Sequence, residues 1–228
     1  TSEVFGAGLL STIAGDEAYF TVRLRDQFQN VRRNRSAVDA TLLQMVAVHR
    51  EMEEMYYNTR RALVDTSDAT YSFVYVANKS GVVELNIKVD GEHVASGSGA
   101  DATYNGGSPY SVAVTSTTAD ATTSTAEGWA LKEATSSVPT WLNITIRDRF
   151  TNLRYEPGHN VDDVTCDIRP AVSNEADVDV TNATVTGTIY NYENAVYRCT
   201  YVPRFAGLNQ LEIRVAGVHI HGSPFIVD

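Results

Sequence analysis

"LEIRVAGVHIHGSPFIVD", from Leu211 to Asp228, closes the chain. It begins with alternating apolar and polar residues, the period of a half-buried strand. A glycine, a His-x-His and a Gly-Ser-Pro then interrupt it before a second apolar run. Gly217 and Pro224 therefore mark a turn between two strands, with the proline at the start of the second, where a missing N–H is tolerated. The same punctuation occurs earlier, in "VDGEHVAS" (Val89–Ser96) and "GGSPYSVAV" (Gly106–Val114). The ending is one half of a repeat.

Laid on itself at an offset of 126, the chain places Tyr71 on Tyr197, Tyr75 on Tyr201, Leu85 on Leu211, Ile87 on Ile213, Gly91 on Gly217 and His93 on His219. At an offset of 122, Phe20, Val22 and Leu24 fall on Leu142, Ile144 and Ile146, and Arg25, Asp26, Phe28, Asn30 and Arg32 fall on Arg147, Asp148, Phe150, Asn152 and Arg154. Ser108-Pro109 meets Ser223-Pro224 at 115, so the first copy carries 11 additional residues, within Ala95–Gly106. Their Gly, Ser and Asp content is that of a solvated loop. "TSTTADATTSTAE", Thr115–Glu127, has no apolar period and reads as a flexible tether. The expected organisation is a domain over 1–114, a Thr/Ala-rich linker over 115–126 and a second domain over 127–228.

A length of 228 residues supports two domains of ordinary size, each with its own core. No apolar run approaches the roughly 20 residues of a membrane-spanning helix. A net charge of -10 works against a phosphate-backbone partner, and the cluster Arg32, Arg33 and Arg35 reads as loop decoration. The chain opens at Thr1 rather than methionine and is read as a fragment or mature segment.

Strand alternation such as "FTVRL" from Phe20 and "LNITI" from Leu142, with turn signals between, predicts an all-β chain of two antiparallel sandwiches of the immunoglobulin type. "TLLQMVAVHREMEEMYYNTRRALV", Thr41–Val64, has helix-like spacing and long unbranched side chains. Its partner in the second copy, from Val164, carries a proline and β-branched residues. The repeat takes precedence, and the segment is expected to form strands.

These motifs resemble the filamin-type immunoglobulin repeat. Its pattern is met by Gly8-Leu9 and more loosely by Gly128–Leu131, by Arg25-Asp26 and Arg147-Asp148, by the Tyr-x-x-x-Tyr strands, and by the closing His219, Ile220, Gly222, Ser223, Pro224 and Phe225. The resemblance covers nearly the whole chain. It implies spacer and docking modules without catalysis, in which partner peptides add as a strand beside strand C. Rough alignment puts those edges at Leu42–Val48 (Leu42, Gln44, Val46, Val48) and Val164–Ile168 (Val164, Cys166, Ile168). Filamin-type repeats also occur in gamete surface adhesion proteins of plants and green algae, and in cytoplasmic actin cross-linkers and ciliary proteins.

No convergent acid, base and nucleophile is visible, and neither an enzyme nor a cofactor is expected. His219 and His221 would share one strand face, as two metal ligands do, but a third ligand is missing and His219 belongs to the repeat signature. Asp162-Asp163 and Glu53-Glu54 lack calcium-loop spacing. Cys166 and Cys199 share the parity of core residues on strands that are neighbours in an immunoglobulin topology. They either bond, in a manner unlike the antibody inter-sheet bridge, or pack as small hydrophobes. Sequons stand at Asn34, Asn78, Asn143 and Asn182. Asn143 alternates out of phase with Leu142 and Ile144 and should face solvent. The favoured expectation is an extracellular adhesion module that contacts itself or another surface protein. The alternative is a cytoplasmic cytoskeletal or ciliary scaffold.

Overall fold

Alternation becomes strands in both copies. The computed structural model describes residues 2–31, 43–49, 60–65, 70–94, 107–155, 164–171, 183–192 and 194–228. The chain divides into two units, Thr1–Thr115 and Ser116–Asp228. Among the described residues no helix is long and apolar enough to cross a membrane. The arginine cluster, both acidic pairs, Asn34, Asn182, Leu42 and the inserted loop over 95–106 lie outside the described residues.

The first unit contains β1 (Glu3–Phe5), β2 (Ser11–Ile13), β3 (Glu17–Arg23), β4 (Leu43–His49), β5 (Arg60–Asp65), β6 (Thr70–Val76), β7 (Gly81–Val89), β8 (Glu92–His93) and β9 (Tyr110–Thr115). One sheet runs β1-β3-β6-β5 and the other β2-β9-β7-β4, with β8 folded onto β7. Pairing is antiparallel except between β2 and β9. β4 and all of β5 but Asp65 fall within the helix-like stretch, where tertiary pairing with β7 and β6 overrides propensity. The core lies between the sheets, with Phe20 stacked on Phe73 at 5.0 Å and Leu85, Ile87 and Val112 fully buried.

The second unit repeats the plan with β10 (Thr125–Glu127), β11 (Thr140–Thr145), β12 (Val164–Pro170), β13 (Val185–Thr186), β14 (Thr188–Asn191), β15 (Val196–Tyr201), β16 (Asn209–Val215), β17 (Val218–His219) and β18 (Phe225–Val227). Its sheets are β10-β11-β15-β14 and β13-β12-β16-β17, with β18 also on β16. Leu142, Ile144, Ile146, Leu211 and Ile213 are fully buried between them.

The repeated residues prove to be structural locks. Tyr75 donates its buried hydroxyl to Gly8 O, and Tyr201 donates to Ala130 O in the equivalent turn. Burial pushes the Tyr201 phenol up to about 12. Gly6 and Gly128, each at φ 137°, lead into those turns with a backbone that disfavours any side chain. Asp26 accepts from the N–H groups of Phe28 and Asn30 and from the Asn30 amide, and Asp148 does the same with Phe150 and Asn152. The Arg-Asp-x-Phe-x-Asn repeat is thus a carboxylate-organised turn.

The Asn30 amide, aided by the N–H groups of Asn30 and Phe28, holds the Asp26 carboxyl below its ordinary 3.8. A lowered folded pKa stabilises the fold above the unfolded value, and that contribution disappears as pH falls through the folded one. The difference in local stability between wild type and Asp26→Asn is therefore expected to be full at neutral pH and to close below about pH 3.8. Amide exchange of the Phe28 and Asn30 N–H groups across that range checks it.

Of the expected tether over 115–126, Thr115 ends β9 of the first unit and residues 116–126 are instead folded into the second. Asp120 N–H donates to Arg147 O, Thr117 N–H to Asp148 Oδ2 and the Thr123 hydroxyl to Asp148 O. Ser124, fully buried, accepts from Arg147 N–H and donates to Asp120 O. Hydroxyl-to-backbone bonds order this segment where apolar burial alone is insufficient.

Candidate functional site

A β-sandwich has two kinds of surface to offer, strand edges and the outer faces of its sheets. In the first unit β4 ends its sheet, paired only with β7 among the described strands, from Leu43 opposite Val89 to His49 opposite Val83. Gln44, Val46 and Val48 lie on this strand. Among the described strands none pairs with its far side, where the N–H and C=O groups of an added strand would bond.

The corresponding edge of the second unit is already occupied. β13 pairs Val185 with Ile168 and Thr186 with Asp167, and Gly187 N–H donates to Cys166 O at 2.7 Å. Val164, Cys166 and Ile168 therefore do not share an open edge. All three are buried, with Cys166 and Ile168 in the core. A peptide adding here would have to displace residues 185–187.

Gly187 lies where the chain leaves β13 for β14 in the opposite sheet. A Cβ there would stand 2.6 Å from Cys199 Sγ and 3.2 Å from Cys166 O. Cys166 and Cys199 are disulfide-bonded, with Cα atoms 6.5 Å apart. The bond joins β12 in one sheet to β15 in the other, so it is an inter-sheet bridge and not a link between neighbouring strands. The parity of both cysteines points to the core, but parity does not say which sheet each strand joins.

The two histidines separate. β17 ends at His219, and His221 lies exposed in the following turn, its N–H on Ser124 O. Arg214 Nη2 donates to His219 Nε2 (3.1 Å), which leaves Nδ1 as donor to Ser223 Oγ (2.9 Å). Ser223 Oγ also accepts Ile213 N–H, and His93, Ser108 and Ile87 repeat the arrangement in the first unit. The signature histidine is thus a turn lock. Among the described residues no three His, Cys, Asp or Glu side chains gather to hold a metal.

The outer faces of the second unit differ in chemistry. On the β12–β16 sheet, Glu212 pairs with Arg169 (2.6 Å) and Arg214 (2.8 Å), and the Thr186 hydroxyl donates to Asp167. Its charges are satisfied internally. The β10-β11-β15-β14 sheet instead carries Trp141, Tyr190 and Tyr192, exposed to 50%, 53% and 47%. Arg198 lies over the Trp141 ring at 4.2 Å and over Tyr192 at 5.2 Å. Asn143 sits within this face, opposite Arg198, which is itself opposite Tyr190. Sequence reading placed Asn143 toward solvent but missed the aromatic group. The alternation of Trp141 with Leu142 was the available signal. Asn78 is exposed just beyond β6.

Two sandwiches, each closing its core between a four-stranded and a five-stranded sheet, define a tandem of immunoglobulin-like modules. The chain belongs to the Filamin/ABP280 repeat family, whose model matches residues 1–98 and 118–226. Among solved structures, the Lin-41 filamin domain is 24% identical with a TM-score of 0.39, over 49% of this chain and 96% of its own. The Escherichia coli adhesin FdeC is 16% identical with a TM-score of 0.54, over 100% of this chain and 64% of its own. The bacterial integrin-binding protein invasin is also 16% identical, with a TM-score of 0.51, over 96% and 37%. At these identities the likeness is one of fold, and the chain spans less than two thirds of the FdeC and invasin chains.

Proposed function

We propose that this chain is a non-catalytic adhesion module working outside the cell through protein–protein contact, with recognition between gametes as the setting its repeats fit. The observation that carries this reading is the bond between Cys166 and Cys199. Both cysteines of the chain are used in it, and such bonds persist in oxidising compartments. The sequons at Asn34, Asn78, Asn143 and Asn182 support the same compartment. The deciding experiment is the intact mass of the protein from its source cell, with and without reductant and glycosidase. Added sugar, or a mass short of the two thiol hydrogens, is the expected result. An unmodified chain with free thiols overturns it.

The edge of β4 favours a second reading, a scaffold that docks partner peptides by strand addition, in the cytoplasm or cilium. Proline introduced in turn at Val46 and Ala47 tests the mode of contact, since one of the two N–H groups points away from β7. At that position the expected outcome is loss of partner binding with the fold retained. Binding that survives both changes places the contact elsewhere.

A further inference from the structure

Exposed aromatic rings on one face of a sheet need a reason, because nothing in the packing of a sandwich requires them there. Trp141, Asn143 and Thr145 alternate with the buried Leu142 and Ile144, so all three project from the outer face of β11. Together they place the acceptor asparagine of a sequon between its threonine and a half-exposed indole. Arg198, opposite Asn143, lies over the rings of both Trp141 and Tyr192, and its Nε is shielded from solvent without a hydrogen-bond partner. Asn30, Asn152 and Asn209 commit their amides to internal bonds, whereas Asn143 offers its amide outward.

We propose that Asn143 is an N-glycan attachment site and that the Trp141–Arg198–Tyr192 group is the bed on which the first sugars of that glycan rest. The apolar face of a pyranose matches the indole, and its hydroxyls accept from the guanidinium, as in other mixed aromatic and polar recognition surfaces. In the modification step Asn143 Nδ2 attacks the anomeric carbon of an oligosaccharide carried on a lipid pyrophosphate. The C–N bond forms as the C–O bond to the pyrophosphate breaks. The lipid pyrophosphate leaves with the electron pair, and one amide proton passes to a base of the transferase. Attachment precedes folding, so a strand position is no obstacle once the side chain ends on the outer face. The repeat supplies an internal contrast. At the offset of 122, Tyr19 and Thr21 stand where Trp141 and Asn143 do, so the first unit has no acceptor at the equivalent position.

This inference rests on the extracellular reading only for its biological setting, and its test separates the two. The full chain is secreted from a eukaryotic host, and peptide mass after glycosidase treatment in heavy-oxygen water reads occupancy at Asn143. Both tryptophans, Trp129 and Trp141, lie in the second unit, so tryptophan emission reports that unit alone. The expected result is an occupied Asn143, a Trp141 less accessible to a soluble quencher while the glycan is present, and a melting midpoint that falls by about 4 °C on deglycosylation. In Trp141→Ala, with Trp129 as reporter, deglycosylation should leave the midpoint unmoved, and Trp141→Phe should restore part of the shift. A bare Asn143 on the secreted chain overturns the site and leaves the face to a protein partner. Equal shifts in wild type and Trp141→Ala overturn the bed. Occupancy in the host combined with an unmodified native protein overturns the extracellular reading alone.

Discussion

Reducing the bond between Cys166 and Cys199 is expected to lower the melting temperature of the second unit by about 10–20 °C while the first melts where it did. Both cysteines lie in the second unit, 33 residues apart in sequence. Opening a loop of that length returns about 3–4 kcal/mol of chain entropy to the unfolded state. The bond also clamps the two sheets, and Gly187 leaves no side chain that could take over the contact. Cys166→Ala with Cys199→Ala should reproduce the loss in the absence of reductant. Tryptophan emission follows the second unit, and calorimetry follows both. A second-unit midpoint unmoved by reductant, with alkylation proving the thiols free, would show that the sandwich does not depend on its bridge.

The next largest effect is expected at Asp148. Its fully buried carboxylate accepts from Phe150 N–H, Asn152 N–H, the Asn152 amide and Thr117 N–H. Asp148→Ala strands these donors together, and each buried donor left unpaired costs about 1–3 kcal/mol, so a loss of about 3–5 kcal/mol follows once part of the turn relaxes into water. The same change at solvent-accessible Asp26 should cost far less, because water replaces the lost acceptor. Urea midpoints give the comparison directly. Equal losses at both positions would mean that turn geometry matters and burial does not.

Much of this was legible in advance because the repeat carries its own controls. Tyr75 and Tyr201, or Asp26 and Asp148, recur because each copy must tie the same turn to the same strand. Ser2 and Ser124 stand at the same offset of 122, and each accepts the N–H of the arginine in its copy. Composition nevertheless assigned Ser124 to a tether. Low hydrophobicity is a poor guide where hydroxyl groups order a segment by bonding to backbone. The offset jump between His93 and Ser108 also hid a contact, since the ring and the hydroxyl meet in space at 2.9 Å across the inserted loop.

The sequence by itself determined that the chain is all-β, that it holds two copies of one repeat, and that Phe20, Val22, Leu142, Ile144, Cys166 and Cys199 face the core. Those facts follow from local period and from self-similarity, and neither depends on which strands become neighbours. Tertiary structure alone decided that Cys166 and Cys199 lie on opposite sheets, that β13 closes the edge at Ile168, and that Trp141, Arg198 and Tyr192 gather around Asn143. These depend on pairings between residues distant along the chain, and alternation fixes a side chain's face without choosing its partner across the sheet.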